Sequence, residues 1–291
     1  MKDLPKILHL FWDGSPMSYL NYLTLETFYF YNSEWEIKIY TPLSPPPPPN
    51  YTDGEQSEPY TGPDYWDKAS NLPYVDVYKM DITELGYPNL PSVQQSDIFR
   101  WWVLASIGGI WSDFDILYTD SVPKTLLPKN YNSSSCYVHS REEGGHFKIG
   151  FLASYPGNDF FLSALGTCKY KYNMLLARKE SNSRLQDYQI FGKEIYDTLV
   201  GNLNNLKTNF PKTHNIECDL VYPVLSDNKS LKILFTENVK LDLSESIGVH
   251  WYNGSNIARA YINNLEHNKN NNSVMSNLIK NYENIYSNSI S

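Results

Sequence analysis

The chain reads as an α/β protein with a mostly parallel, Rossmann-like sheet flanked by helices. Three observations predict this. Two short apolar runs, Ile7–Trp12 and Trp35–Tyr40, bracket a Tyr/Leu-rich segment from Met17 to Tyr31, giving a strand–helix–strand order. The strongest helical period in the chain, Ser92–Ile107, runs into Gly108-Gly109 and then a further apolar run, Ile110–Tyr118. Finally, 41% hydrophobic and 19% charged residues over 291 positions suit one large globular core.

Each element has a local signal. Ile7–Trp12 is bounded by Pro5 and by Asp13-Gly14, as a buried strand should be. Trp35–Tyr40 alternates Trp, Ile and Ile with Glu and Lys, the pattern of a half-buried strand. Pro45–Pro49 opens a Pro/Gly-punctuated stretch that reads as a loop insertion over 44–73, and Val75–Tyr78 follows as another short strand. In Ser92–Ile107, Pro91 precedes the helix, two glycines stop it, and Ile98, Trp101, Trp102 and Ala105 fall at i, i+3, i+4 and i+7. Beyond it come a strand-like Phe147–Ser154, helical segments near 158–176 and 184–200, and late strand or loop candidates at Val221–Val224 and Ile247–Tyr252. The domain is expected to span 1–262, with an Asn/Ser-rich tail over 263–291 that can form a short amphipathic helix near 274–286.

Charge and cysteine usage exclude several classes. The net charge is −8 and no Lys/Arg cluster is present, so bulk nucleic acid is not an expected partner. Cys136, Cys168 and Cys218 are odd in number, widely spaced and without CxxC or Cys/His ligand spacing, which predicts reduced, buried thiols rather than a disulfide or zinc site. No run approaches the roughly 20 apolar residues that span a bilayer, and the N-terminal apolar run is too short for a signal peptide. The expected setting is a bacterial or viral cytosol.

The chemistry concentrates in Trp111-Ser112-Asp113-Phe114-Asp115. In an extended segment Trp111, Asp113 and Asp115 share one face. Two carboxylates among apolar neighbours call for a cation, and a divalent ion shared with a substrate diphosphate supplies one. An exposed strand end or turn, or pairing with basic side chains, is the competing account. On the preceding helix, Asp97 and Arg100 lie three residues apart and so neighbour each other on one flank, which an ordinary ion pair would also explain.

Ser96-Asp97-Ile98-Phe99-Arg100 followed by Gly108-Gly109-Ile110-Trp111-Ser112-Asp113-Phe114-Asp115 resembles the sugar-binding region of the DXD glycosyltransferases, which include capsular-polysaccharide transferases, fungal initiating mannosyltransferases and, distantly, the glucosylating clostridial toxins. Pro5-Lys6-Ile7-Leu8-His9 through Gly14, and Gly248-Val249-His250-Trp251-Tyr252-Asn253-Gly254-Ser255, resemble the family's first and last motifs, with Asn256 standing where the family often has Trp. The resemblance implies a single GT-A type domain that transfers a hexose-type sugar from a nucleotide diphosphate sugar, UDP favoured over GDP, to a glycan or other hydroxyl acceptor. Configuration would be retained, and Mn²⁺ or Mg²⁺ required. It implies donor contacts from Leu10, Trp12, Asp97, Arg100, Trp111, Asp113 and Ser255, catalytic roles for Asp97, Arg100, Asp113 and Asp115, and metal ligation by Asp113, Asp115 and His250. Gln189–Lys193 is weakly similar to a segment near the acceptor. His9 reads as structural. A nucleotide-sugar hydrolase on the same site, or a noncatalytic carbohydrate- or nucleotide-binding protein, stays open as an alternative.

Overall fold

The computed structural model describes residues 4–48, 58–140, 144–177 and 187–289. The elements are, in order, β1 (Ile7–Phe11), α1 (Tyr19–Tyr31), β2 (Glu36–Pro42), α2 (Trp66–Ser70), β3 (Val75–Met80), α3 (Ser92–Ser106), β4 (Gly109–Ser112) and β5 (Ile116–Tyr118). The second half comprises β6 (Ser133–Ser140), β7 (Gly144–Lys148), β8 (Phe151–Ser154), α4 (Asp159–Ala177), α5 (Lys193–Leu199), α6 (Leu203–Asn209), β9 (Thr213–Asn215), α7 (Asn228–Thr236), β10 (Gly248–His250), α8 (Asn256–Asn263), α9 (Leu265–Asn268) and α10 (Val274–Ser289). Part of the Pro-rich insertion, 49–57, and the start of the expected 184–200 helix lie outside the described residues.

The main sheet runs β3-β2-β1-β4-β8-β6-β7, with β9 also on β6. Its first half is parallel: β1 pairs with β2 and β4, and β2 with β3. From β4 onward, β8 pairs antiparallel with β4 and β6, and β7 pairs antiparallel with β6. The expected single strand Phe147–Ser154 is therefore two strands, broken at Ile149-Gly150. Alternation along the strands feeds two cores. Leu8, Leu10, Ile37, Ile39 and Ile110 face one layer with α1, α7, α8 and α10, while Tyr40 and Trp111 face the other with α3, α4 and α5. The tail helix α10 buries Met275, Ile279 and Tyr282 in the first of these cores.

His9 behaves as a structural residue. It is fully buried, donates from Nε2 to the Gly108 carbonyl at 2.8 Å and accepts from the Tyr40 hydroxyl at 3.0 Å. Burial holds its pKa down, to about 4, so the ring stays neutral. The neighbouring glycine is needed where α3 turns into β4. Gly109 has φ +102°, and a Cβ there would lie 2.6 Å from the Ile7 carbonyl oxygen. Gly109→Ala should cost about 2–3 kcal/mol in urea unfolding. Gly14→Ala, at φ +90° but with nothing within 4 Å, should cost only the backbone part.

One sequence expectation is overturned. Cys136 and Cys218 are joined in a disulfide, and Cys168 alone is free and buried. Spacing could not show this, because the pair is 82 residues apart. The parallel pairing of β9 on β6 brings them together: Ser135 aligns with Asn215, and the Ile216 N–H continues the ladder to the Ser135 carbonyl. Thiol titration of denatured, unreduced chain should therefore find one reactive group, rising to three after reduction.

Candidate active site

The two expected carboxylates do not lie on a continuous strand. β4 ends at Ser112 and β5, which pairs antiparallel with β10 in a separate small sheet, begins at Ile116. Asp113-Phe114-Asp115 is the turn between them. That turn is held on every side. The Asp113 N–H donates to the Gly150 carbonyl at 2.8 Å. The Phe114 carbonyl accepts from Asn21 Nδ2 and from Thr24 Oγ1, each at 2.9 Å, both buried on α1. The Asp115 carbonyl accepts from Trp251 N–H at 2.8 Å, and its Oδ2 from Asn253 N–H at 2.9 Å. A buried Asn in the first turn of α1 and a buried Thr one turn on are poor choices for packing, and here they serve as anchors for the carboxylate turn.

Behind the turn, α3 delivers Asp97 and Arg100, both buried. Arg100 reaches Asp97 Oδ1 at 3.1 Å and Asp113 Oδ1 at 3.3 Å, donates to the Ile149 carbonyl at 2.6 Å, and lies over the Trp111 ring at 4.9 Å. One guanidinium thus serves two carboxylates. Burial pushes the Asp97 carboxyl up to about 7 against the pull of Arg100. Trp111 adds an indole N–H to Asp113 Oδ1 at 2.9 Å.

Asp113, Asp115 and His250 each offer one ligand atom, and these lie within 4.8 Å of one another. His250 comes from β10, the strand that pairs with β5, so the small sheet sets its distance from Asp115. Asp115 Oδ1 is buried and lies 3.0 Å from His250 Nε2. Burial alone would raise the Asp115 carboxyl; His250 and the Asn253 N–H instead pull it below its ordinary value. Both atoms face a common point, the geometry an oxygen- and nitrogen-liganded divalent ion would fill. Gly150 keeps that point open, since a Cβ there would lie 2.7 Å from Asp113 Oδ2 and 3.1 Å from His250 Nε2. Gly150→Ala should leave the fold intact and weaken Mn²⁺ binding at least about tenfold in calorimetry.

Around this point the molecule opens into a cleft of about 370 Å³ lined by Phe11, Trp12, Asp13, Ser96, Asn253 and Arg259 among others. Trp12 lies at the end of β1, in edge contact with Phe114 at 5.1 Å, with its indole N–H on the Ser15 carbonyl. Two expected donor contacts fall elsewhere. Leu10 points into the core with no exposure, and Phe11 and Asp13 line the cleft instead. Ser255 spends its hydroxyl as the N-cap of α8, accepting from Ala258 N–H, so Asn253 and Arg259 flank the cleft in its place. Asn21 and Gly150 carry no motif signal, because each acts on the carboxylate turn from a position distant in sequence.

The mixed α/β sheet has the fold class that the sequence predicts, and the carboxylate turn stands at its cleft. A model of the family described as capsular polysaccharide synthesis protein matches residues 67–230, more than half the chain, and the chain belongs to that family. Among solved structures, the PaToxG glycosyltransferase is similar at 15% identity and TM-score 0.44, over 72% of this chain and 74% of that one. The galactosyltransferase LgtC in complex with donor and acceptor sugar analogs is similar at 13% identity and TM-score 0.40, over 84% and 87%. The glycosyltransferase GlyE of Streptococcus pneumoniae TIGR4 is similar at 11% and 0.42, over 94% and 63%. No curated protein sequence matches the chain.

Proposed function

We propose that this chain is a divalent-metal-dependent transferase that moves a hexose-type sugar from a nucleotide diphosphate sugar to an acceptor hydroxyl. The observation that carries the reading is the convergence of Asp113, Asp115 and His250, whose ligand atoms lie within 4.8 Å of one another beside the cleft. Asp115, Asp113 and His250 would hold Mn²⁺ or Mg²⁺, which when bound stabilises negative charge on the departing diphosphate. The protein's own residues do the rest. Trp12 closes the far wall of the cleft, where a base can lie against it. Arg259 and Arg100 bring positive charge to the phosphate region. Asp97, fixed by Arg100, is placed to accept from sugar hydroxyls. Serving both Asp97 and Asp113, Arg100 holds the donor pocket and the metal side in one register.

A uridine donor is the expectation, as is retention of anomeric configuration. Among the described residues no helix is long and apolar enough to cross a membrane. A cytosolic setting is proposed from the sequence, and the thiol count above bears on it, since a persistent Cys136–Cys218 bond is unusual in a reducing compartment.

The test is calorimetry and turnover with UDP- and GDP-sugars, each with Mn²⁺ and with chelator, with product configuration read by proton NMR. One donor bound and transferred only with metal supports the reading. Free sugar released at the same rate with and without acceptor would make it a hydrolase. No donor bound under any condition would leave only a binding protein.

A further inference from the structure

Val221–Val224 carries only a weak strand or loop signal in the sequence, and no motif marks Tyr222. In the structure this segment runs beside β10, the strand that carries His250. The Tyr222 N–H donates to the Cys218 carbonyl at 2.7 Å, closing the short helical turn that begins at Cys218. The Val221 carbonyl then accepts from the His250 N–H, and the Leu220 carbonyl from the Ile247 N–H, both at 2.8 Å. The Cys136–Cys218 disulfide ties the start of the turn to β6. Tyr222 is thereby fixed in the same frame as His250, with ring centres 5.0 Å apart.

Packing explains the ring but not its hydroxyl. Tyr222 is 2% exposed, and the hydroxyl has no hydrogen-bond partner among the described residues. A buried hydroxyl is unfavourable unless something bonds it. This one faces the gap at Gly150. The three atoms nearest the place a Cβ would take are Asp113 Oδ2 at 2.7 Å, the Tyr222 hydroxyl at 2.8 Å and His250 Nε2 at 3.1 Å. Asp113 and His250 are two of the three side chains assigned to the cation point. All four residues line a cavity of about 470 Å³ beside the donor cleft, which leaves room for further oxygen ligands. Tyr196 gives a contrast. Its hydroxyl is also buried without a partner among the described residues, but its ring packs among Trp101, Phe147 and Phe160 and lines neither cavity.

We propose that Tyr222 is a positioning residue of the cation site, its hydroxyl bonding an oxygen in the coordination shell of the divalent ion held by Asp113, Asp115 and His250. The inference rests on the metal-dependent reading above and adds a fourth residue to it. A divalent ion with three protein ligands keeps further oxygen ligands, water until a substrate displaces it. One such oxygen beside Gly150 satisfies the phenol, and the phenol in turn fixes where that oxygen sits. As a hydrogen-bond donor the phenol adds no charge to a site that already holds two carboxylates.

The experiment is calorimetric titration of the full chain with Mn²⁺ and with Mg²⁺, with and without UDP, beside Tyr222→Phe and Tyr196→Phe. Phenylalanine keeps the ring against His250 and removes only the hydroxyl. Tyr222→Phe is expected to bind Mn²⁺ about tenfold more weakly. Its metal-free melting temperature should hold or rise, because a buried hydroxyl without a partner has gone. Tyr196→Phe should bind Mn²⁺ as the parent does. Mg²⁺ should also induce a tyrosine ultraviolet difference spectrum in the parent that Tyr222→Phe lacks. The proposal is overturned if Tyr222→Phe binds both ions like the parent, or if Tyr196→Phe loses as much. A metal-free melting temperature that falls along with the affinity would equally overturn it, by making the hydroxyl a structural group. No cation bound by the parent would sink the metal reading itself, a result distinct from parent-like binding by Tyr222→Phe.

Discussion

Asp115→Asn is expected to reduce sugar transfer by about 10³-fold, the scale of losing one group that stabilises transition-state charge, with little change in stability. The reason lies in how the side chain is held. Its Oδ2 accepts from the Asn253 N–H at 2.9 Å, so an amide at 115 must keep its oxygen there. The NH₂ group then takes the place of Oδ1, 3.0 Å from His250 Nε2 and facing the point shared with Asp113. A donor replaces an acceptor at a ligand position, and Mn²⁺ affinity should fall by about 10- to 100-fold or more. The measurement is paired: metal titration by calorimetry, and turnover at saturating Mn²⁺. A variant with wild-type turnover would show that the turn positions substrate without binding metal.

Arg100→Met should cost about 3–5 kcal/mol of stability, since it strips the shared partner from two carboxylates, and the cost should depend on pH. In the native protein burial already raises the Asp97 carboxyl to about 7, from an ordinary 3.8. A carboxyl whose folded pKa lies above its unfolded one favours the folded state fully when protonated in both states, below about pH 4. That advantage is lost as pH rises through 7. Removing Arg100 takes away the one interaction that favours the charged form, so the folded pKa rises further and the loss on raising pH deepens. Urea midpoints of variant and parent should be far apart at pH 8 and close at pH 5. An equal gap at both would mean that Arg100 acts through packing on Trp111 rather than through charge. Activity should be lost at either pH, because Arg100 also ties Asp113 to the Ile149 carbonyl.

Much of the first half of the fold was legible because its signals are local. Ser92–Ser106 is framed by Pro91 and two glycines, β1 is an apolar run bounded by Pro5 and Asp13-Gly14, and β2 alternates apolar with charged residues. After Ser112 legibility drops. A turn containing Phe114 between two strands has the same apolar content as one long strand, and only the Asn21 and Thr24 side chains, about ninety residues earlier, show that the chain bends there. The strand β6, with four serines among its residues, has no apolar alternation to announce it. It is held as a strand by β7, β8 and β9 around it.

By itself the sequence determined the α/β class, the position of the carboxylate pair and of the Asp97/Arg100 pair, and the family to which such a spacing belongs. These depend on contacts within about ten residues, where periodicity and side-chain spacing are nearly the whole of the physics. Only the tertiary structure decided that Asp97 and Asp113 share one guanidinium, that Ser255 is a helix cap and that Cys136 meets Cys218. Each of those joins residues brought together by sheet pairing or by a buried charge seeking its partner. The energy of such contacts exists only once the intervening chain has folded.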